Sequence, residues 1–201
     1  MTRRPDVVLF DMDGTLTLPN HDFPAIKAEM GLAPDTMILE ELERLESEEP
    51  GRARALRAIL ERHEARAAES AVARAGAREV VASLHDLGVR TGLITRNARR
   101  FVRLTLRRIR LDFDVVVTRE DAPPKPSPEP LLLACRRLGT RAARAWMVGD
   151  YRYDIEAGRA AGCAATVLLL DTGHAPFEHE ASFVIRQLRE LPGLVSAGDL
   201  A

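Results

Sequence analysis

The chain has 201 residues, 46% of them hydrophobic, with 29 basic against 30 acidic side chains and a formal net charge of −1. That size suits one domain carrying a smaller insertion, and the apolar share is enough to fill a core. The balanced charge argues against a general binder of nucleic acid or of anionic membranes, because those partners reward a basic excess. Cys135 and Cys163 sit in apolar stretches and read as buried small side chains. A disulfide framework needs more cysteines, and neither one has a partner at zinc-ligand spacing. Met1 to Pro5 carries a few charges, and the apolar run after it is short and ends in acids at Asp11 and Asp13. That is no signal peptide, and no stretch reaches membrane-spanning length without charge. The expected setting is the cytoplasm.

Val7 to Phe10 is a continuous apolar run that stops at Asp11, as expected of a strand buried on both faces of a parallel sheet. The next stretch, residues 18–75, contains no strand-like run. Ile38, Leu39, Leu42 and Leu45 form one helical stripe there, and Leu56, Ile59, Leu60 and His63 form another, with Pro50-Gly51 between them. The acids from Glu40 to Glu49 interleave with the first stripe and read as a solvated helix face, not a metal site. Val80, Val81, Leu84 and Leu87 then mark a helix stopped by Gly88, followed by a strand-like run from Val89 to Thr95. Phe101, Val102, Thr105, Leu106 and Ile109 share a helix face, with Asn97 as its expected N-cap. Phe113 to Val117 is the third strand. Ser127-Pro128 opens a helix that Gly139 closes. Ala145 to Val148 and Ala164 to Leu170 complete the strand series. The tail holds a short strand, Phe183 to Ile185, and a weak final helix. Strands alternating with helices predict an α/β fold with a doubly wound parallel sheet. The core domain is expected at residues 1–17 and 76–201, with a small helical cap at 18–75 inserted after the first strand.

Ligands of an open α/β sheet bind beyond the carboxyl ends of its strands. There the chain places Asp11-Met12-Asp13-Gly14-Thr15, then Thr95-Arg96-Asn97, then Lys125 among prolines 123, 124, 126 and 128, then Gly149-Asp150 with Asp154 four residues on. Clustered carboxylates without thiolates or paired histidines suit a hard cation, Mg²⁺ above all. Asp11 and Asp150 are the natural direct ligands, and Asp154 can orient a metal-bound water. Asp11 and Asp13 lie two apart, so in extended chain both point to one side, where one can attack while the other transfers protons. Gly14 lets the backbone turn and approach a phosphate. Thr95 can donate to a phosphoryl oxygen, and Lys125 offsets charge on the nucleophile and the phosphoryl group.

These residues resemble the haloacid dehalogenase superfamily of phosphohydrolases. Its four motifs are matched in order by Asp11-Met12-Asp13-Gly14-Thr15-Leu16, by Leu93-Ile94-Thr95-Arg96-Asn97, by Lys125 within Pro124-Lys125-Pro126, and by Gly149-Asp150 followed by Asp154-Ile155. The insertion looks like the cap of the phosphoglycolate phosphatase-like branch, although somewhat short for it. The resemblance implies that Asp11 is a nucleophile forming an aspartyl-phosphate. It implies that Asp13 protonates the leaving alcohol and then activates water, and that the Asp13 carbonyl joins Asp11, Asp150 and Asp154 in a Mg²⁺ site. The catalytic set is then Asp11, Asp13, Thr95 and Lys125, and the substrate-binding set is Thr95, Arg96, Asn97 and Lys125. The expected substrate is a small phosphorylated metabolite, for which the resemblance implies a phosphoglycolate-like ester, and the protein a monomer or homodimer.

Taken singly, these residues have structural readings. An Asp-x-Asp is usually a solvated turn, and Thr95 or Asp154 can cap a helix. Their joint occurrence favours a site. Asn97 is preferred as a cap, and Arg96 is open because it can point away. His21, Asp22 and Lys27 are candidate substrate contacts, with hinge or surface roles preferred. His174 and His179 read as solvated. A dehalogenase has no need of Asp13 and Asp150. A phosphoglucomutase-like phosphotransferase would keep every residue named, and an idle binding module on the same fold would have lost one.

Overall fold

A computed structural model describes residues 4–197. Met1 to Arg3 and the last four residues of the tail, both covered by the sequence reading, lie outside the described residues.

Six strands form one sheet: β1 (Val7–Phe10), β2 (Arg90–Ile94), β3 (Val115–Val117), β4 (Ala145–Gly149), β5 (Ala165–Leu169) and β6 (Phe183–Ile185). Their order is β3-β2-β1-β4-β5-β6, and every neighbouring pair is parallel. β1 lies at the centre, so all four of its side chains are fully buried. Alternation along the strand sends Val8 and Phe10 to one face and Val7 and Leu9 to the other. On the first face they meet α4 (Ala77–Asp86), α5 (Arg99–Ile109) and α8 (Leu191–Ala197), through Val80, Leu84, Val102 and Leu191 among others. On the second they meet α6 (Glu129–Arg137) and α7 (Arg152–Ala160), through Leu131, Ala134 and Ala157. Each buried Val, Leu or Phe among them contributes about 1.5–3 kcal/mol by leaving water, and each alanine less. The expected doubly wound α/β fold is thus present. The strands are shorter than their apolar runs: Val89, Thr95, Phe113, Ala164 and Leu170 lie outside the ladders although most stay buried.

Between β1 and α4 the chain forms α1 (Phe23–Glu29), α2 (Ile38–Glu48) and α3 (Pro50–Ser70). α1 was not marked by the apolar stripes, because Ile26 is its one buried residue. Pro50-Gly51 lies between the two stripes as expected, just after α2. Pro50 starts α3, where its missing N–H costs nothing. The three helices share a core of their own, built on Ile26, Leu42, Leu45, Leu56 and Leu60. The buried stripe of α3 runs through Ala53, Leu56, Leu60, Glu64 and Ala67. His63 lies beside it, half-buried, with Nε2 2.7 Å from Glu29 Oε2. The acidic face of α2 is solvated as expected from Glu43 to Glu49, with Leu45 alone buried inside it, but Glu40 turns toward the sheet. The two connections to the sheet run side by side: Leu18 N donates to Val72 O at 3.0 Å and Arg74 N to Leu16 O at 2.8 Å.

Cys135 is buried, whereas Cys163, expected to be so, is only half-buried because it sits in the turn before β5. His174 and His179 are exposed. No helix among the described residues is long and apolar enough to cross a membrane.

Candidate active site

The loop after β1 keeps the sheet's hydrogen bonding for one more residue, since Asp11 N donates to Val148 O at 2.9 Å. It then turns back, with Leu16 N and Thr17 N both donating to Met12 O. Gly14 makes this possible. Its φ is +84°, and a Cβ there would lie 2.2 Å from Asp150 Oδ2. Thr15 Oγ1 donates to the other oxygen of Asp150 at 2.8 Å. At the end of β4, a Cβ on Gly149 would strike Asp154 Cγ at 2.2 Å, so glycine lets the carboxyl of α7 pack under the strand end. Two glycines thus bring carboxylates from three separate segments into one place.

Lys125 is the cation at that place, and it is almost wholly buried. Its Nζ donates to Asp11 Oδ1 at 2.5 Å, to Asp154 Oδ1 at 2.6 Å and to the Ile94 carbonyl at 2.9 Å. Burial alone would lower its pKa, but the two aspartates outweigh it and raise it. Asp154 Oδ2 accepts from the Tyr151 N–H at 3.1 Å, so both of its oxygens have partners. The 118–125 loop that carries Lys125 is itself anchored. Asp121 accepts from the Thr118 N–H at 2.9 Å, from Thr118 Oγ1 at 2.8 Å and from Arg137 at 2.8 Å, and it pairs with Arg99 at 2.9 Å.

Asp11, Asp150 and Asp154 each offer a ligand atom within 4.8 Å of the others. Burial, followed by repulsion from neighbouring carboxylates, holds Asp11 well above its ordinary value and Asp150 at about 6. Three hard oxygen donors crowded against one ammonium fit a divalent cation of the Mg²⁺ type, whose charge would relieve the repulsion. Asp13 is raised as well, chiefly by burial, with His21 and Asn97 opposing.

Thr95 is buried beyond β2, and its Oγ1 accepts from the Asn97 N–H at 3.1 Å. Asn97 does not cap α5. The N-cap position is Ala98, with no side-chain bond, and Asn97 Nδ2 instead donates to Asp13 Oδ2 at 2.5 Å. Chain direction decides this, because Asn97 still belongs to the strand-end loop and faces the β1 loop. Arg96 binds both oxygens of Glu40 at 3.0 and 3.1 Å and lies 5.1 Å from the centre of the Tyr153 ring.

Asp11, Asp13, Thr95, Arg96, Asn97, Lys125, Asp150 and Asp154 line one cavity of about 430 Å³, closed on its far side by α1–α3. His21 lies in its wall and is not a surface residue: its side chain is 6% exposed, with Nδ1 3.6 Å from Asp13 Oδ1. Its ring stacks on Phe23, and neither ring nitrogen has a hydrogen-bond partner. Asp22 faces outward and caps α1, accepting from the Ala25 N–H at 3.0 Å. Lys27 lines the cavity with Nζ on the Pro34 carbonyl at 2.5 Å. Two charged lining residues escaped the sequence reading, Glu64 and Arg119, which pair with each other in the cavity wall. Glu64 did leave a trace, as a lone acid in register with the apolar stripe of α3.

This constellation at the carboxyl edge of a parallel sheet defines a hydrolase-type site with an acidic cluster that could hold a divalent cation. The family model of the haloacid dehalogenase-like hydrolases matches residues 5–162, and the chain belongs to that family. It is 36% identical over 185 residues to an uncharacterized hydrolase of Saccharomyces cerevisiae, covering 86% of this chain and 82% of the relative. It is 31% identical over 216 residues to N-acetylmuramic acid 6-phosphate phosphatase of Pseudomonas aeruginosa, covering 94% and 93%. A hydrolase structure from Pseudomonas syringae shares the fold with a TM-score of 0.77 at 23% identity, covering 98% of this chain and 99% of that one.

Proposed function

We propose that this hydrolase is a Mg²⁺-dependent phosphatase that cleaves a small phosphomonoester metabolite through an aspartyl-phosphate on Asp11. The observation that carries the proposal is Lys125 Nζ held between Asp11 and Asp154 on the floor of a cavity that Asp13 and Thr95 also line.

Asp11, Asp150, Asp154 and the Asp13 carbonyl would hold the cation, which when bound neutralises charge on the transferring phosphoryl group. In the first step an Asp11 oxygen forms a bond to phosphorus while the bond to the leaving oxygen breaks. Asp13 gives its proton to that oxygen, and burial favours the protonated form from which it starts. In the second step Asp13 takes a proton from water, the water oxygen bonds to phosphorus, and the Asp11–phosphorus bond breaks. Lys125 stays fixed through both steps and offsets the charge of Asp11 and of the phosphoryl oxygens. The Thr95 hydroxyl and the loop amides would hold those oxygens, with Arg96 and Asn97 beside them.

Residues 1–17 and 76–201 form the phosphoryl-transfer core in this reading, and 18–75 a cap that covers the leaving group. Support comes from the separate apolar core of α1–α3 and their two adjacent connections to the sheet. The protein acts in the cytoplasm on a small metabolite, as a monomer or homodimer, with neither nucleic acid nor membrane as partner; a phosphoglycolate-like ester sets the size class. The test is turnover of p-nitrophenyl phosphate with and without Mg²⁺, with Asp11→Asn as the blank. Turnover that needs the cation and vanishes in a folded Asp11→Asn protein is the expected result. Undiminished turnover in that variant overturns the mechanism.

A further inference from the structure

Four Lys or Arg side chains line the cavity, and each is already engaged. Lys125 is held by Asp11 and Asp154 on the phosphoryl side. Lys27 rests on the Pro34 carbonyl at the rim. Arg96 is paired with both oxygens of Glu40. Arg119 points both guanidinium arms at Glu64, with Nη2 2.9 Å from Oε2, and donates also to the Arg96 carbonyl at 3.3 Å. Both Glu40 and Glu64 come from the helical insertion, and both arginines come from loops beyond the sheet. The Glu64–Arg119 pair is the more consequential, since its side chains are only 3% and 9% exposed.

We propose that Glu64 and Arg119 form a charge-neutral wall at the leaving-group end of the cavity, selecting phosphomonoesters whose leaving group is an uncharged, hydroxyl-bearing alcohol. The inference rests on the phosphatase reading above and narrows its substrate class. A second anionic group brought to this wall loses its hydration and finds Arg119 already paired with a carboxylate, so desolvation is left uncompensated. A hydroxyl meets a different environment. Carboxylate oxygens of Glu64, which lines the cavity, retain lone pairs to accept from it. Phe23, Leu60 and Tyr153 supply apolar surface for the carbon skeleton. The wall therefore accepts a polyol or sugar of the right size and rejects its acid counterpart. Phosphoglycolate is accordingly a poorer substrate than its alcohol analogue.

The test compares near-isosteric esters on the whole protein with Mg²⁺: glycerol 3-phosphate against 3-phosphoglycerate, and 2-hydroxyethyl phosphate against phosphoglycolate. Each alcohol is expected to exceed its acid at least about ten-fold in kcat/KM, a factor set by one unmatched charge. Glu64→Gln, which leaves Arg119 unneutralised, is expected to shrink that ratio about ten-fold or reverse it. Glu64→Gln combined with Arg119→Gln is expected to restore the alcohol preference. If Glu64→Gln fails to fold, the wild-type ratios decide by themselves. Equal or better use of the acids by wild type overturns the proposal, as does an unchanged ratio in folded Glu64→Gln or a preference for phosphoethanolamine over glycerol 3-phosphate. An absence of turnover on p-nitrophenyl phosphate as well overturns the phosphatase reading itself, which separates the two failures.

Discussion

Asn97 Nδ2 donates to Asp13 Oδ2 at 2.5 Å, across the gap between the loops that follow β2 and β1. The bond ties the residue that would handle the leaving-group proton to the second strand, and it fixes the carboxyl where His21 also faces it. Asp13→Asn is expected to slow hydrolysis of alkyl phosphates by about 10²–10⁴, the usual worth of a positioned general acid. Loss of the first step on p-nitrophenyl phosphate should be much smaller, because that leaving group departs without a proton. Asn97→Ala should show the same pattern more weakly. Burst kinetics on the two ester types measure it, and equal first-step losses on both would contradict the role given to Asp13.

Removal of the cation should stop the reaction. Asp11, Asp150 and Asp154 are crowded within 4.8 Å, and Lys125 is the one ammonium among them. Added Mg²⁺ should raise the melting temperature of wild type, because an ion bound only by the folded state stabilises it. Asp150→Asn should lose most of that rise. Thermal scans with chelator and with Mg²⁺ check this independently of activity. A melting temperature indifferent to Mg²⁺ at millimolar concentration would count against the site.

Leu45 is fully buried in the core shared by α1–α3, away from the sheet. Leu45→Ala should cost about 2–5 kcal/mol, the range for a buried leucine truncation. If α1–α3 form a separate unit, the loss is local. Hydrogen exchange should speed up at amides between residues 23 and 70 while β1 and β4 keep their protection. Uniform acceleration across the chain would mean that the insertion and the sheet open together.

Asp121 provides a pH test outside the carboxylate cluster. Burial alone would raise its pKa, but hydrogen bonds from Arg137, the Thr118 N–H, Arg99 and the Thr118 hydroxyl outweigh it and hold it well below the ordinary 3.8. A carboxyl depressed by folding stabilises the fold above its unfolded pKa, and that contribution is lost as the pH falls toward the folded value. Asp121→Asn should therefore cost about 1–2 kcal/mol at neutral pH, after allowing for the half-exposed arginines. The cost should shrink below about pH 4. Urea unfolding of both proteins across that range is the measurement, and a cost that grows on acidification would reverse the sign argued here.

The sheet was legible along the chain because burial on both faces favours apolar runs, unbroken in Val7–Phe10 and Ala145–Gly149 and interrupted by Arg90 and Thr91 in Arg90–Ile94, and each run ends where it meets polar residues. The candidate catalytic groups were legible for the same reason, since a parallel sheet lines up its strand ends and so converts an order in sequence into a place in space. Periodicity also marked α2 and α3, but not the short α1 with its single buried residue. What the sequence by itself could not decide was the partner of each polar side chain. Asn97 read as a helix cap because local spacing cannot see the β1 loop that it reaches across 84 positions. Glu64 and Arg119 are 55 residues apart and carry no local pattern in common, yet the fold of the insertion over the sheet buries them as a pair. Hydrophobic burial acts through periodicity and is written along the chain, whereas a buried charge must find its counter-ion wherever the tertiary structure brings one, and that is decided only when the helices close over the strand ends.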